Sequence, residues 1–595
     1  MLKYLISLLL LAVSTISFTQ SVSYDLSMPK PQDHYFHVKM HMKDFKEDTL
    51  TVKMPVWAPG SYLVREFSKN VNLVKAYDKE GKELEVFKSS KNTWNIVNPS
   101  HGAVEVRYEV YSFELSVRTS FLDDTHGFVS GTGVFMYVDQ HKNLSGEVNV
   151  YPGKYFSKIT TALPNKGEGV IKDGSQTFTF KDYDHLVDCP IEIGNQEIFE
   201  FDASGVKHTV AMYGVGNYDI DLLKKDMARI IEEATAVFGQ NPNKEYTFII
   251  HNVVDAQGGL EHTNSTVLSV NRWSYEGSKY LGFLSLVAHE YFHLWNVKRI
   301  RPIELGPFNY DEENYTSLLW VMEGFTSYYD ELLLLRAGYY TKEKFMNKML
   351  STLNYVEGAT GTRVQPVAHA SYDAWIKAYR PNENSANTTM SYYSRGSVIA
   401  MMLDAMIINK SKGKQCLDHF LQHIYKEFYE KKGRGFTEDE FKAELEKFAG
   451  DLDEFFAKYI HGTEIPDYNK VFAPVGMNMT YIGTPRPDAG ISVSGSGGST
   501  IVKRIRSGSA AETAGLSVND EIIGVNGFRT DAKSFNEFVN TLQAGDNVSI
   551  IYARENIIGI TDMIITNYEQ PKFEYSFGTG KVTQKLLEYW LRTNR

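Results

Sequence analysis

The stretch from Leu281 to Pro302, LGFLSLVAHEYFHLWNVKRIRP, constrains this chain more than any other, because it sets His289, Glu290 and His293 inside an otherwise apolar run. An α-helix turns once in about 3.6 residues, so positions i and i+4 share a face and both imidazoles can aim a ring nitrogen at one point. Ser285, His289, His293 and Asn296 form a narrow polar stripe, while Leu281, Phe283, Leu284, Leu286, Val287 and Leu294 cover the rest of the surface. The spacing predicts an internal helix with one functional face. Two histidines in this HExxH register, with a glutamate beside the first, are a zinc-binding pattern that keeps a base next to the metal.

A zinc site that performs chemistry takes three protein ligands and leaves a fourth position open. The segment Ser317 to Asp330, SLLWVMEGFTSYYD, offers the third ligand, since Glu323 is the only acidic residue before Asp330 in a helix-like apolar run. A carboxylate buried in such a run needs a partner. The expected set is therefore His289, His293 and Glu323 around Zn2+, with Glu290 as the base.

These residues carry a family resemblance. HEYFH, with WVMEGFTSYY beginning 27 residues after His293, resembles the gluzincin metallopeptidases. MPVWAPGSYLVREF at Met54 to Phe67, LVDCPIEIG at Leu186 to Gly194, GGLEH at Gly258 to His262 and HLWNVKRIRP at His293 to Pro302 narrow it to the M61 glycyl aminopeptidases. The words fall in that family's order and span nearly the whole chain beyond the first twenty residues.

The resemblance implies roles for further residues. In GGLEH the glycines let a substrate backbone lie close to a strand edge, and Glu261 corresponds to the residue that gathers the substrate's free amino group. Gly258, Gly259 and Glu261 are thus the expected substrate-binding residues. SYYSRG at Ser391 to Gly396 places the oxyanion-binding phenol at Tyr393, with Tyr392 as the alternate. The implied activity is a zinc-dependent aminopeptidase acting on peptides with a small N-terminal residue, glycine or alanine. Two other readings stand beside it: an exported PDZ-type peptide-binding scaffold with a structural zinc, and a zinc endopeptidase on the same site.

Length and composition fit a multidomain α+β chain. Its 595 residues allow about three to five domains, and 43% hydrophobic residues can furnish sizeable cores. A formal net charge of -11 argues against nucleic acid and anionic membrane surfaces as partners. Lys3, the apolar run Leu5 to Ile16, and small Ser17 and Thr19 read as a signal peptide over residues 1–19, so the mature chain is expected to be exported, periplasmic or secreted. No run is long enough to span a bilayer. Cys189 and Cys416 are too few and too far apart to imply a disulfide framework.

Residues 20–204 alternate apolar and polar in short runs such as HYFHVKMHM and AVEVRYEVY, which predicts an all-β, sandwich-like domain. WAPGSY near Trp57 reads as a packed Pro-Gly turn rather than a substrate-contacting loop. Over 205–472 the period becomes helical, as in Ile220, Leu223, Met227, Ile230, Ile231, Ala234 and Val237, giving a thermolysin-like, mainly helical catalytic domain. Lys298, Arg299 and Arg301 read as cations complementing a helix C-terminus. The Gly- and Ser-rich span 473–569, with AAETAGL, NDEII and VNG, resembles a PDZ domain, which could take a C-terminal peptide or carboxylate. Small Ala489 stands where that domain's carboxylate loop commonly carries a larger apolar residue. In the tail at 570–595, Leu586, Leu587 and Trp590 call for a short docking helix.

Overall fold

The computed structural model describes residues 20–167, 174–496 and 498–592, so the expected export segment lies outside the described residues. The chain forms two compact units.

The first unit holds residues 20–55, 66–115 and 119–195 and is built of β-sheets of seven, five and four strands. Alternation decides which face of each strand is buried. In Tyr35–Lys43, Phe36, Val38, Met40 and Met42 are buried, and the residues between them face outward to varying degrees. Ser21–Ser27 pairs antiparallel with that strand and parallel with Gly146–Tyr151.

The second unit contains the helical body, the C-terminal domain and the tail, together with two short excursions, Val56–Arg65 and Ser116–Arg118. Those excursions, and the strand Glu197–Ala203, fall within the span 20–204 that the sequence assigns to the β domain. Glu197–Ala203 goes with the second unit because it pairs along its whole length with Val206–Tyr213. That pair opens a five-stranded sheet continuing through Glu245–Val253 and Ser265–Asn271 to Gln257–Glu261, which is the sheet's edge. The helix Ile220–Phe238 is capped by the Asp219 side chain and closed by Gly239, whose φ of 79° suits glycine.

Three helices carry the residues singled out above: Gly277–Phe292 with His289 and Glu290, Leu319–Arg336 with Glu323, and Tyr392–Ser411 with Tyr393. The second and third cross at Gly324 and Gly396, where a Cβ added to Gly324 would lie 2.3 Å from the Gly396 Cα. Only glycine at both positions allows that approach, and it fixes how far Glu323 stands from Tyr393.

The C-terminal domain has its own core, which includes Val502, Ile522, Val548, Ile550 and Met563. Its Ile505 carbonyl and Ser507 amide are held by the Asn387 side chain of the helical body, at 2.8 and 3.0 Å. Ala489 is buried, and its carbonyl accepts from the Ala511 amide. The tail forms the helix Lys581–Trp590 with Leu586, Leu587 and Trp590 buried, and Trp590 Nε1 donates to the Tyr328 hydroxyl at 2.8 Å. Among the described residues no helix is long and apolar enough to cross a membrane, and Cys189 and Cys416 are both buried.

Candidate active site

His289 lies in the last turn of its helix and His293 caps that helix in right-handed conformation, so the two rings stay on one face. Their Nε2 atoms are 3.2 Å apart, and Glu323 Oε2 lies 3.5 Å from the first and 3.3 Å from the second. Each ring is fixed from behind. His289 Nδ1 faces Asp330 Oδ2 at 2.9 Å, and His293 Nδ1 faces the Asn296 carbonyl at 2.8 Å. Both partners are acceptors, so both Nδ1 atoms carry the proton and both Nε2 atoms present lone pairs to each other. The Asn296 side-chain amide in turn binds the Val321 and Met322 carbonyls and Thr326 Oγ1, clamping the Glu323 helix to the histidine helix.

Two lone pairs and a carboxylate converging at this distance require a cation. Ligands at ~2.0–2.1 Å on the corners of a tetrahedron stand roughly 3.3 Å apart, which matches the three separations here. The electrostatics agree. Burial works to raise the Glu323 carboxyl, but the two imidazoles overcome it and hold it near 2. Burial likewise disfavours charge on His289, yet Asp330 and Glu323 raise it well above the ordinary histidine range. Two imidazole nitrogens and one carboxylate oxygen, all within 4.8 Å of one another, are a donor set that fits zinc.

Glu290 is buried beside the ligands. Burial raises its carboxyl to about 7, the histidines opposing and the nearby Glu261 and Glu323 adding to the effect. Its Oε2 is buried without a hydrogen-bond partner among the described residues. Gly259 lies against it, because a Cβ there would stand 2.3 Å from Oε1, so the edge strand can carry no side chain at this point. Glu261 is buried at the end of that strand, and ligand-type atoms of Glu261, Glu290 and His293 all fall within 4.8 Å of one another.

The cleft in front of these groups has a volume of about 320 Å³. Gly258, Gly259, Glu261, Glu323 and Tyr393 line it with the two histidines and Glu290. Tyr393 stacks near His289 with ring centroids 6.4 Å apart; burial and the Glu323 charge raise its phenol well above the ordinary value, so it stays a donor. Tyr392 is packed behind it, ring on ring at 4.8 Å, and does not reach the cleft.

Sequence reasoning passed over three groups that the fold brings here. Asp330, seven residues after Glu323 in the same helix, was visible as the next acidic position on a nearby face. Arg118 lines the cleft and donates to the Gly259 carbonyl at 3.3 Å, and nothing local in its sequence marks it. Gly60, in the WAPGSY turn, also lines the cleft. The turn is packed, with Trp57 and Tyr62 buried against Trp375, but Gly60 faces Glu261, whose Oε1 would lie 2.6 Å from an added Cβ, and its φ is 86°. The turn is therefore both packed and part of the cleft wall. Of the basic group, Arg299 Nη1 binds the Leu294 carbonyl just past the histidine helix at 2.6 Å, a C-terminal contact.

The comparisons with known proteins agree in order and extent. A family model for the Peptidase M61 N-terminal domain matches residues 23–195, one for the M61 glycyl aminopeptidase matches 282–399, and one for the PDZ domain matches 483–547. Among solved structures, an aminopeptidase N family protein from Idiomarina loihiensis is similar at a TM-score of 0.87 and 29% identity, covering 96% of this chain and all of that one. An M1 zinc metallopeptidase from Deinococcus radiodurans covers 75% of this chain and 94% of its own at 13% identity, with a TM-score of 0.49. No curated protein matches the chain.

Proposed function

Because the chain belongs to the M61 glycyl aminopeptidase family, we propose that it removes a small N-terminal residue, glycine or alanine, from peptides outside the cytoplasm, with a zinc ion held by His289, His293 and Glu323. The observation that carries this reading is the position of Glu261. Its carboxylate stands within 4.8 Å of Glu290, and two buried carboxylates that close call for a cation between or beside them. A substrate's α-ammonium supplies one.

Beyond Glu261 the space closes. A cavity of only about 10 Å³, walled by Trp57, Pro59, Tyr62 and Phe308, adjoins Gly60 and Glu261. That is room for roughly one water or a methyl group. Glycine or alanine suits a space of that size at the first position, which favours the aminopeptidase over the endopeptidase. A structural zinc has no use for the unpartnered Glu290 Oε2, which disfavours the scaffold.

The zinc would polarise the scissile carbonyl and acidify the attacking water. Glu261 binds the ammonium and sets the first residue. The backbone edge at Gly258 and Gly259 aligns the peptide. Glu290 accepts the water's proton at its free oxygen and passes it to the departing amine. Tyr393 donates its hydroxyl hydrogen to the oxyanion.

A charge-assisted bond to an ammonium contributes roughly 1.5 to 3 kcal/mol, about 10- to 150-fold in kcat/KM. Glu261→Ala should therefore weaken cleavage of free-amine peptides by at least that order with its zinc content unchanged, and the intact protein should leave N-acetylated peptides uncut. Efficient internal cleavage of acetylated peptides would reject the aminopeptidase reading.

Tyr393→Phe removes one donor and nothing else from the cleft wall. We expect kcat to fall by roughly 10²-fold with KM little changed. If steady-state kinetics show that loss in Tyr392→Phe instead, the oxyanion donor is the packed neighbour.

A further inference from the structure

Three cavities follow the edge strand in order. The small apolar one adjoins Glu261, the catalytic cleft runs along Gly259 and Gly258, and a third of about 360 Å³ begins at Gln257 and Ala256. The third is joined to the second, since Gln257, Gly282 and Leu286 line both. Its inner wall is apolar, made by Val270, Phe283 and Leu286, and its single charged lining residue is Lys279, which is exposed at the start of the histidine helix. Gln257 pairs in register with Val270, so strand and wall keep the same spacing.

We propose that this third cavity is the subsite for the third residue of the substrate, and that the protein is matched to tripeptides ending in an apolar residue with a free carboxylate. The inference rests on the aminopeptidase reading, which fixes the ammonium at Glu261 and the cut bond beside Glu290. Glu261 and Gln257 are four strand positions apart, about 13 Å at ~3.3 Å per residue. An extended tripeptide spans roughly 10 Å, and the lysine stem covers the remaining distance to its carboxylate. The apolar third side chain lies on Val270 and Leu286, and Lys279 pairs with the terminal charge. A dipeptide ends before the cavity and gains neither contact.

Gly282 gives a clean test. It lies mid-helix at the junction of the two cavities, and an added Cβ meets only Gln257 Nε2, at 3.9 Å. Leucine there suits the helix better than glycine and fills the passage. The measurement is kcat/KM for Ala-Ala, Ala-Ala-Leu, Ala-Ala-Leu amide and Ala-Ala-Asp, with the intact protein, Gly282→Leu and Lys279→Gln.

The intact protein should favour Ala-Ala-Leu over Ala-Ala, its amide and Ala-Ala-Asp by about tenfold or more. Gly282→Leu should abolish the preference for the tripeptide over the dipeptide, and Lys279→Gln should bring the acid down to the amide. Equal rates for dipeptide and tripeptide in the intact protein, or a Gly282→Leu defect of the same factor on both, would overturn the subsite. The same peptides are titrated calorimetrically into zinc-loaded Glu290→Gln. Affinity there reads the subsite without turnover: a tighter acid than amide supports it and equal affinities overturn it, whatever becomes of the hydrolysis.

Discussion

Glu290→Gln is expected to lower kcat by roughly 10²- to 10⁴-fold while zinc content and the melting curve stay those of the parent. The magnitude is that of a positioned general base. The amide is isosteric with the carboxylate but accepts no proton, so the water and the leaving amine both lose their proton carrier. The geometry leaves no substitute. Glu323 is engaged by both histidines, Asp330 stands behind His289, and Glu261 is given to the substrate's ammonium. Substantial residual turnover in metal-replete Glu290→Gln, measured on Ala-Ala-Leu, would reject the mechanism.

Glu323→Ala should lose activity by losing the metal. The variant keeps two imidazole ligands but no carboxylate, and removing an entire ligand should leave the purified protein with far less than one zinc per chain. Asp330→Ala supplies the graded comparison. It leaves all three ligands in place and removes only the acceptor behind His289 Nδ1, for which a drop of roughly 10- to 100-fold in metal affinity is expected. Competition with a chelator of known affinity separates the two. Stoichiometric zinc in Glu323→Ala would mean that another residue is the third ligand.

The parts of this site that could be read in advance are written either in local periodicity or, for Gly258, Gly259, Glu261 and Tyr393, in the family resemblance. His289 and His293 share a face because they are four apart, and Glu323 stands out because it interrupts an apolar helix. The helical body and the β-rich first unit announce themselves by the period of their apolar residues, and the PDZ domain by its resemblance in AAETAGL, NDEII and VNG. What stayed hidden depends on chain segments distant from one another. Val56–Arg65 and Ser116–Arg118 are only a few residues each and leave the β-rich sequence without any change of period, so their return to the cleft with Gly60 and Arg118 has no local trace. Asp330 closes the apolar run, and nothing in the sequence marks it as a partner, since a carboxylate at a helix surface is ordinarily solvated. Whether it meets a histidine depends on how two helices cross. The third cavity is of the same kind: Gly282 is unremarkable in a helix until a hairpin is laid across it.

The bond from Trp590 Nε1 to the Tyr328 hydroxyl joins residues 262 apart in the chain. Tyr328 lies between Glu323 and Asp330 on one helix, and Phe472 stacks on Trp590 at 5.8 Å. The tail helix thus fastens, from the far end of the sequence, the same helix that presents Glu323 to the histidines, so cutting the chain before Lys581 would uncover the buried Tyr328 rather than trim a loose end.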